Sequence, residues 1–280
     1  MPYFDVKRKS AQSHTRQWSV ASTLPYSFYA GFAVAYNNEI HLLGGNSAKT
    51  NHYKWNGTSW TEVSTLPYEF YYASAVVYNN EIHILGSGNT SLRTSHYKWN
   101  PTDGWREDTE LPYSFSGGMA VVYDNELHIM SDIDYQNAEK HYKWDGTDWT
   151  SVSTLPYSGA FYGSAVVHNN EIHILGGQGG FPVKQAHYKW NPTDGWVELG
   201  RLPYEFVNAP AVVYNGEIHI LGSSYSNNKQ KHYKWEETKW TSVSTLPYEL
   251  DTGSAVVYNG GIHILGGATS SAYTKHYKWV

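Results

Sequence analysis

The tetrad His-Tyr-Lys-Trp occurs six times in this chain, beginning at His52, His96, His141, His187, His232 and His276. Successive copies start 44 to 46 residues apart, and a Leu-Pro-Tyr recurs with the same period at 24–26, 66–68, 111–113, 155–157, 202–204 and 246–248. Self-similarity at such a period means stacked units, each burying its apolar face against its neighbours. The repeat is also an internal control. Positions identical in all six copies belong to the scaffold, and positions that differ are where function can sit.

Residues 74–110 show what one unit is. Ser74 to Tyr78 is a short β-branched run suited to a buried strand, A. Asn79-Asn80 follows, and Asn tolerates the positive φ that a two-residue type I′ hairpin needs. The same slot holds Asn37-Asn38, Asp124-Asn125, Asn169-Asn170, Asn215-Gly216 and Asn259-Gly260. Glu81 to Leu85 is strand B, a variable loop leads to strand C around His96–Trp99, and Asn100 to Gly104 turns into strand D, which opens at Trp105 and runs out at Leu111-Pro112. Four antiparallel strands per unit, six times over, predict an all-β six-bladed propeller. Each unit places one of the 12 tryptophans on C and one on D, as cement between blades, since a buried Trp covers ~150–250 Å². The last unit ends at Trp279-Val280 without a D strand, and Gln17 to Val20 is a D strand without a unit. Pairing the two closes the ring and removes an open sheet edge.

Residues 17–280 are expected to form one domain. Residues 1–16 carry Lys7, Arg8, Lys9 and Arg16 against Asp5 and read as a disordered lead-in or packing strap. A formal charge of −5 gives no overall pull toward nucleic acid. The chain has no cysteine, hence no disulfide framework and no thiolate chemistry. No apolar run reaches membrane-spanning length and no signal-peptide stretch opens the chain. A cytoplasmic or phage-particle-associated protein is expected, monomeric or part of a larger assembly.

The unit resembles the Kelch repeat. That family carries a double glycine after the second strand, then an aromatic, then a Trp about six residues on. Here Gly44-Gly45, Gly176-Gly177 and Gly266-Gly267 match the glycines, and Trp55/Trp60, Trp99/Trp105, Trp144/Trp149, Trp190/Trp196, Trp235/Trp240 and Trp279/Trp18 match the aromatic pair. The family's Tyr is Trp here. The second glycine is lost at Ser87 and Ser223, and both are read as lost at Met130-Ser131. The resemblance implies the propeller and leaves activity open, because Kelch propellers include peptide-binding adaptors, oxidases and sugar epimerases. The family's copper oxidases use a Cys-modified Tyr, which a chain without Cys cannot make. Its sialic acid mutarotases need basic side chains for a carboxylate, and its iron-binding specifier proteins need a spaced Glu, Asp and His set that Asp132, Asp134 and Glu139 do not reproduce.

Strand alternation sends the A–B and C–D turns to one end and the D–A and B–C loops to the other. The first set is uniform; the second is not. Two positions in each D–A loop diverge just before strand A: Tyr29/Ala30, Tyr71/Tyr72, Ser116/Gly117, Phe161/Tyr162, Val207/Asn208 and Asp251/Thr252. Strand A is innermost in a propeller, so these pairs rim the channel mouth. Tyr29, Tyr71, Tyr72, Phe161 and Tyr162 are expected to form an aromatic crescent. Asp132, Asp134, Asn208 and Asp251 lie on the other side, and the B–C loops add Arg93, Tyr135, Phe181, Tyr225 and Tyr273. Tyr-rich rims gain contact area at low entropy cost.

Twelve of the 14 histidines fill two repeated slots, one on strand B and one opening each tetrad. One pair per blade does not converge three or four ligands as a metal needs, so interblade hydrogen bonding is expected, and neither metal nor cofactor. Neither a nucleophile elbow nor a phosphate-cradling glycine loop is present. The expectation is a non-enzymatic recognition module for a glycan or protein ligand. The alternatives are a Kelch-type protein–protein adaptor and a mutarotase- or lyase-like enzyme with Asp251 or Asp132 as base. The repeats look like those in predicted proteins of Gram-positive bacteria and their phages.

Overall fold

The computed structural model describes residues 16–134, 136–179, 182–269 and 273–280. Its 24 strands form six four-stranded antiparallel sheets. The A strands are Phe32–Tyr36, Ser74–Tyr78, Met119–Tyr123, Ser164–His168, Ala211–Tyr214 and Ser254–Tyr258, which number the blades 1 to 6. Neighbouring A strands pack side by side in an unbroken circle, so A is the innermost strand of every blade.

The ring closes as the orphan strand demands. Trp18–Thr23 pairs antiparallel with Lys275–Trp279, Trp18 opposite Trp279, and supplies strand D of blade 6. In every A–B turn both central residues have positive φ, from 48° and 58° at Asn37-Asn38 to 45° and 70° at Asn259-Gly260. Only side chains that tolerate this region can stand there, which is why the sequence repeats Asn, Asp and Gly at this point.

Blades cohere through a repeated aromatic joint. Trp99 of strand C in blade 2 is buried against Tyr36, His41 and His52 of blade 1. Each strand-B histidine shares a hydrogen bond with the strand-C histidine of its own blade, at 2.8–3.0 Å. The histidines therefore bond within blades, not between them as expected. Their contact with the neighbouring blade is ring packing. The interblade bond is made one step further out: Trp18, Trp60, Trp105 and Trp196 on strand D donate to Ser244, Ser22, Ser64 and Ser153 of the preceding blade, at 2.8–3.1 Å. Those serines also hold His232, His276, His52 and His141. Blades 2 and 4 lack the serine, having Thr109 and Gly200 in its place. The next blades' Trp149 and Trp240 are accordingly left without a partner for the indole N–H.

Two readings of residue order need correction. Strand D of blade 2 ends at Glu107 rather than running on to Leu111. Asp108 stands where the other blades carry an apolar residue, and it pairs with Lys98 at 2.9 Å. Met119 pairs with Met130 as Ser74 pairs with Leu85. Met130 is therefore the last strand-B residue, and the double-glycine position of blade 3 is Ser131-Asp132, one residue later than Met130-Ser131. Ser131 keeps the positive φ, 65°, of the glycine it replaces.

Candidate site at the channel mouth

The D–A and B–C loops do share one end of the ring. In each blade a B–C loop amide donates to the D–A loop: Asn46 to Tyr29, Gly88 to Tyr71, Ile133 to Ser116, Gln178 to Phe161, Ser224 to Val207 and Ala268 to Asp251, at 2.6–2.9 Å. The outer residue of each variable pair is thereby tethered through its carbonyl.

The inner residue of each pair does something else. The amide of Tyr72 donates to Ala30, Gly117 to Tyr72, Tyr162 to Gly117, Asn208 to Tyr162, Thr252 to Asn208, and Ala30 to Thr252, at 2.7–2.9 Å. Six backbones thus form a closed hydrogen-bonded girdle around the channel mouth, and all six residues have positive φ, 47° to 65°. Bonds of this length space successive backbones about as neighbouring strands are spaced, ~4.8 Å, and six in a ring lie on a circle of about that radius. Less the radii of the atoms themselves, the opening passes water but no sugar ring. A cavity of about 240 Å³ runs from the girdle residues themselves down to Ala33, Ala75, Ala120, Ala165, Ala211 and Ala255.

Tyr72 and Tyr162 meet edge to face over the girdle, ring centroids 5.7 Å apart. Gly117 between them makes this close approach available: a Cβ there would lie 2.7 Å from the Tyr162 ring. Tyr71 continues the run against Tyr72 at 5.9 Å. Burial raises the hydroxyl pKa of Tyr72, helped by Tyr29 and by Asp251 two blades away. Burial also raises that of Tyr162, with Tyr72 adding to the shift, Arg93 opposing it and Asp132 adding to it. Tyr29 packs against Tyr273, the rings tilted by 31° with centroids 5.4 Å apart, and accepts a hydrogen bond from Asn46 on its hydroxyl.

Several expected rim residues are placed otherwise. Phe161 is buried at 5% exposure and packs against Tyr162, so the crescent loses it as a contact surface. Asp132 is fully buried; its Oδ1 accepts from the amides of Ser116 and Ile133, and burial outweighs these bonds to raise its pKa. Asp134 is exposed and caps its own turn through Gln136. Asp251 pairs with Lys229 at 3.1 Å. Tyr225 lies under Lys184, which also donates to its hydroxyl. Asn208 makes no side-chain hydrogen bond among the described residues. Tyr135 and Phe181 lie outside the described residues.

Of the rim cations only Arg93 was expected as a site residue from the sequence; Lys49, Lys184 and Lys229 were missed. Lys49, Arg93, Lys184 and Lys229 each stand three residues before a tetrad, and each offers its backbone carbonyl to the loop leading into the next blade. That fixed offset was the available signal. Lys49 sits over Tyr71 at 4.7 Å and pairs with Glu69, and Arg93 lies near enough to Asp132 to favour its charged form. The only grouping of potential metal ligands among the described residues is His83, His96 and Asp108. Its histidines are bonded to each other and its carboxylate to Lys98, an ammonium that repels a cation.

No protein-family model matches the chain, and no curated protein matches it. Among solved structures 423 chains match. One, the structure of YjhT, superposes with a TM-score of 0.79 at 16% identity, over 93% of this chain and 96% of that one. Identity so low carries the fold alone. Strand order and structural likeness together make this chain an all-β six-bladed propeller.

Proposed function

We propose that the protein is a Kelch-type recognition module, not an enzyme, and that it binds a neutral glycan over the channel mouth on the face of the D–A and B–C loops. The observation that carries this reading is the continuous run of half-buried rings Tyr71, Tyr72 and Tyr162, with the carboxamide of Asn208 on the same girdle unbonded among the described residues. Aromatic faces take the C–H side of a sugar, and amide or hydroxyl groups take its hydroxyls. Three of the four rim cations are engaged, Lys49 by Glu69 and Tyr71, Lys184 by Tyr225 and Lys229 by Asp251, and the charge of Arg93 is offset by the nearby Asp132, which favours an uncharged ligand over an acidic one. Of the two carboxylates considered as catalytic bases, Asp251 is paired with Lys229, and Asp132 is fully buried with its Oδ1 held by two amides.

A glycan array probed with the intact protein and with the Tyr71→Ala/Tyr162→Ala double variant tests the proposal. Signal on neutral glycans that disappears in a double variant of unchanged melting temperature supports it. Equal binding by the two proteins defeats it. A protein ligand is the second reading, supported by the Tyr-rich rim, and it predicts an array without signal.

A further inference from the structure

Four of the six girdle residues, Ala30, Tyr72, Tyr162 and Thr252, are ones that its backbone geometry disfavours. Glycine is the default where a chain must take positive φ, and elsewhere this protein departs from Gly, Asn and Asp at such positions only at Ser131 and Glu237 among the described residues. The first position of the double-glycine slot, at positive φ throughout, is Gly44, Gly86, Gly176, Gly222 and Gly266, with Ser131 the one exception. The A–B turns use only Asn, Asp and Gly. At the girdle the same φ is held by Ala30, Tyr72, Gly117, Tyr162, Asn208 and Thr252, at 56°, 47°, 65°, 60°, 50° and 51°. A bulky or β-branched residue in this region is an outlier, and such strain collects where a side chain is needed. The double-glycine slot is glycine in five blades of six, whereas the mouth is glycine in one of six, Gly117.

We propose that the side chains of Ala30, Tyr72, Tyr162, Asn208 and Thr252, with Gly117 between the two tyrosines, form the floor of the binding site in place of the outer rim, and that the floor seats a single neutral pyranose ring. The proposal rests on the recognition reading above and assigns its contact residues. Backbone groups cannot discriminate a ligand here, because the girdle consumes its own amides and carbonyls. The outer row is committed elsewhere: its carbonyls are tethered, Phe161 and Val207 are buried, and Asp251 is paired with Lys229. The floor itself has two unlike halves. Tyr72 and Tyr162 meet over Gly117 as an apolar half. Asn208, with its free carboxamide, and Thr252, whose hydroxyl donates to the Asp251 carbonyl and can still accept, make a polar half. A pyranose ring has this same division between a C–H face and a hydroxyl edge. The narrow girdle stops the ring at the floor.

Glycine substitutions separate ligand contact from structural need, since they relieve strain while removing the side chain. Asn208→Gly and Thr252→Gly are compared with Asn80→Gly, which makes the same relief on the opposite face. Melting temperatures and binding isotherms are measured with the strongest neutral glycan from the array. All three variants are expected to melt at or above the wild-type temperature. The two girdle variants should bind at least about tenfold more weakly, the equivalent of one lost hydrogen bond to a desolvated group, and Asn80→Gly should bind normally. Normal binding by both girdle variants, with loss in Tyr71→Ala, would remove the floor and leave the recognition reading standing. An intact protein that binds no neutral glycan would overturn both.

Discussion

The backbone amide of Ala30 donates to the carbonyl of Thr252 at 2.8 Å, across the seam where the first and last blades of the chain meet. That bond completes the girdle, so the mouth of the channel is one cooperative object made from six distant loops. Opening any link leaves an amide and a carbonyl unpaired beside the cavity. The six girdle amides are therefore expected to show similar protection in hydrogen exchange. One amide exchanging orders of magnitude faster than its neighbours would contradict a closed ring.

Closure depends on the borrowed strand Trp18–Thr23. Deleting residues 1–23 strips blade 6 of its outer strand and exposes the edge of Lys275–Trp279, a ready template for another chain. The truncated protein should oligomerise or precipitate, as size-exclusion chromatography would report. A monomer with unchanged melting temperature would refute this role for the strand.

Gly117 and Ala30 hold the same backbone conformation in different surroundings. A Cβ at Gly117 meets the Tyr162 ring at 2.7 Å, so Gly117→Ala should destabilise by about 1–3 kcal/mol. Ala30→Gly removes the left-handed penalty and should stabilise by up to about 1 kcal/mol. Chemical denaturation of the two variants gives both signs.

Ser64 joins two blades by accepting from Trp105 while bonded to His52. Ser64→Ala orphans an indole N–H and an imidazole nitrogen, and the expected loss is about 1–3 kcal/mol. Thr109, the exposed counterpart in blade 2, receives no such bond from Trp149. Thr109→Ala should change stability by less than about 0.5 kcal/mol. Equal effects of the two substitutions in urea melts would show that the Trp–Ser link carries no weight.

The paired histidines make stability depend on pH. Burial, aided mostly by the neighbouring His or Lys, lowers their pKa to about 4 at His41, His128, His173, His219 and His263, and to about 3 at His52, His141, His187, His232 and His276. In blade 2 the order is reversed, about 3 at His83 and about 4 at His96. Each folded value lies below the unfolded one of about 6.5, so the unfolded chain takes up protons first as pH falls. Stability is intact above about pH 6.5 and is lost progressively as pH falls from there toward the values of the folded rings. Circular dichroism should find a steep acid transition between about pH 5 and 6.5. A protein still folded at pH 4 would contradict the neutral paired state.

How far the sequence could be read depended on which interactions residue type encodes. The type I′ turns, the Trp-bearing strands and the closing strand were legible because each requires a particular side chain at a fixed offset. The candidate site was legible only by its end of the ring. Phe161 and Asp132 were expected on the rim and are buried, since alternation assigns a loop to an end but not a loop side chain to a surface. The frame of Ser131-Asp132 slipped because a methionine occupies a strand position that is leucine in the other blades.

By itself the sequence determined six blades, their strand order and the closure, because local turn chemistry and a period-long hydrophobic pattern leave no other assembly that pairs every strand. Only the tertiary structure decided that six inner loop residues, as unlike as Ala30, Tyr72 and Thr252, share one conformation and one ring of hydrogen bonds. Those bonds join backbone to backbone across 42 to 222 positions of sequence, from Ala30–Tyr72 to Ala30–Thr252. A backbone bond between distant loops leaves no mark on the identity of the residues that make it.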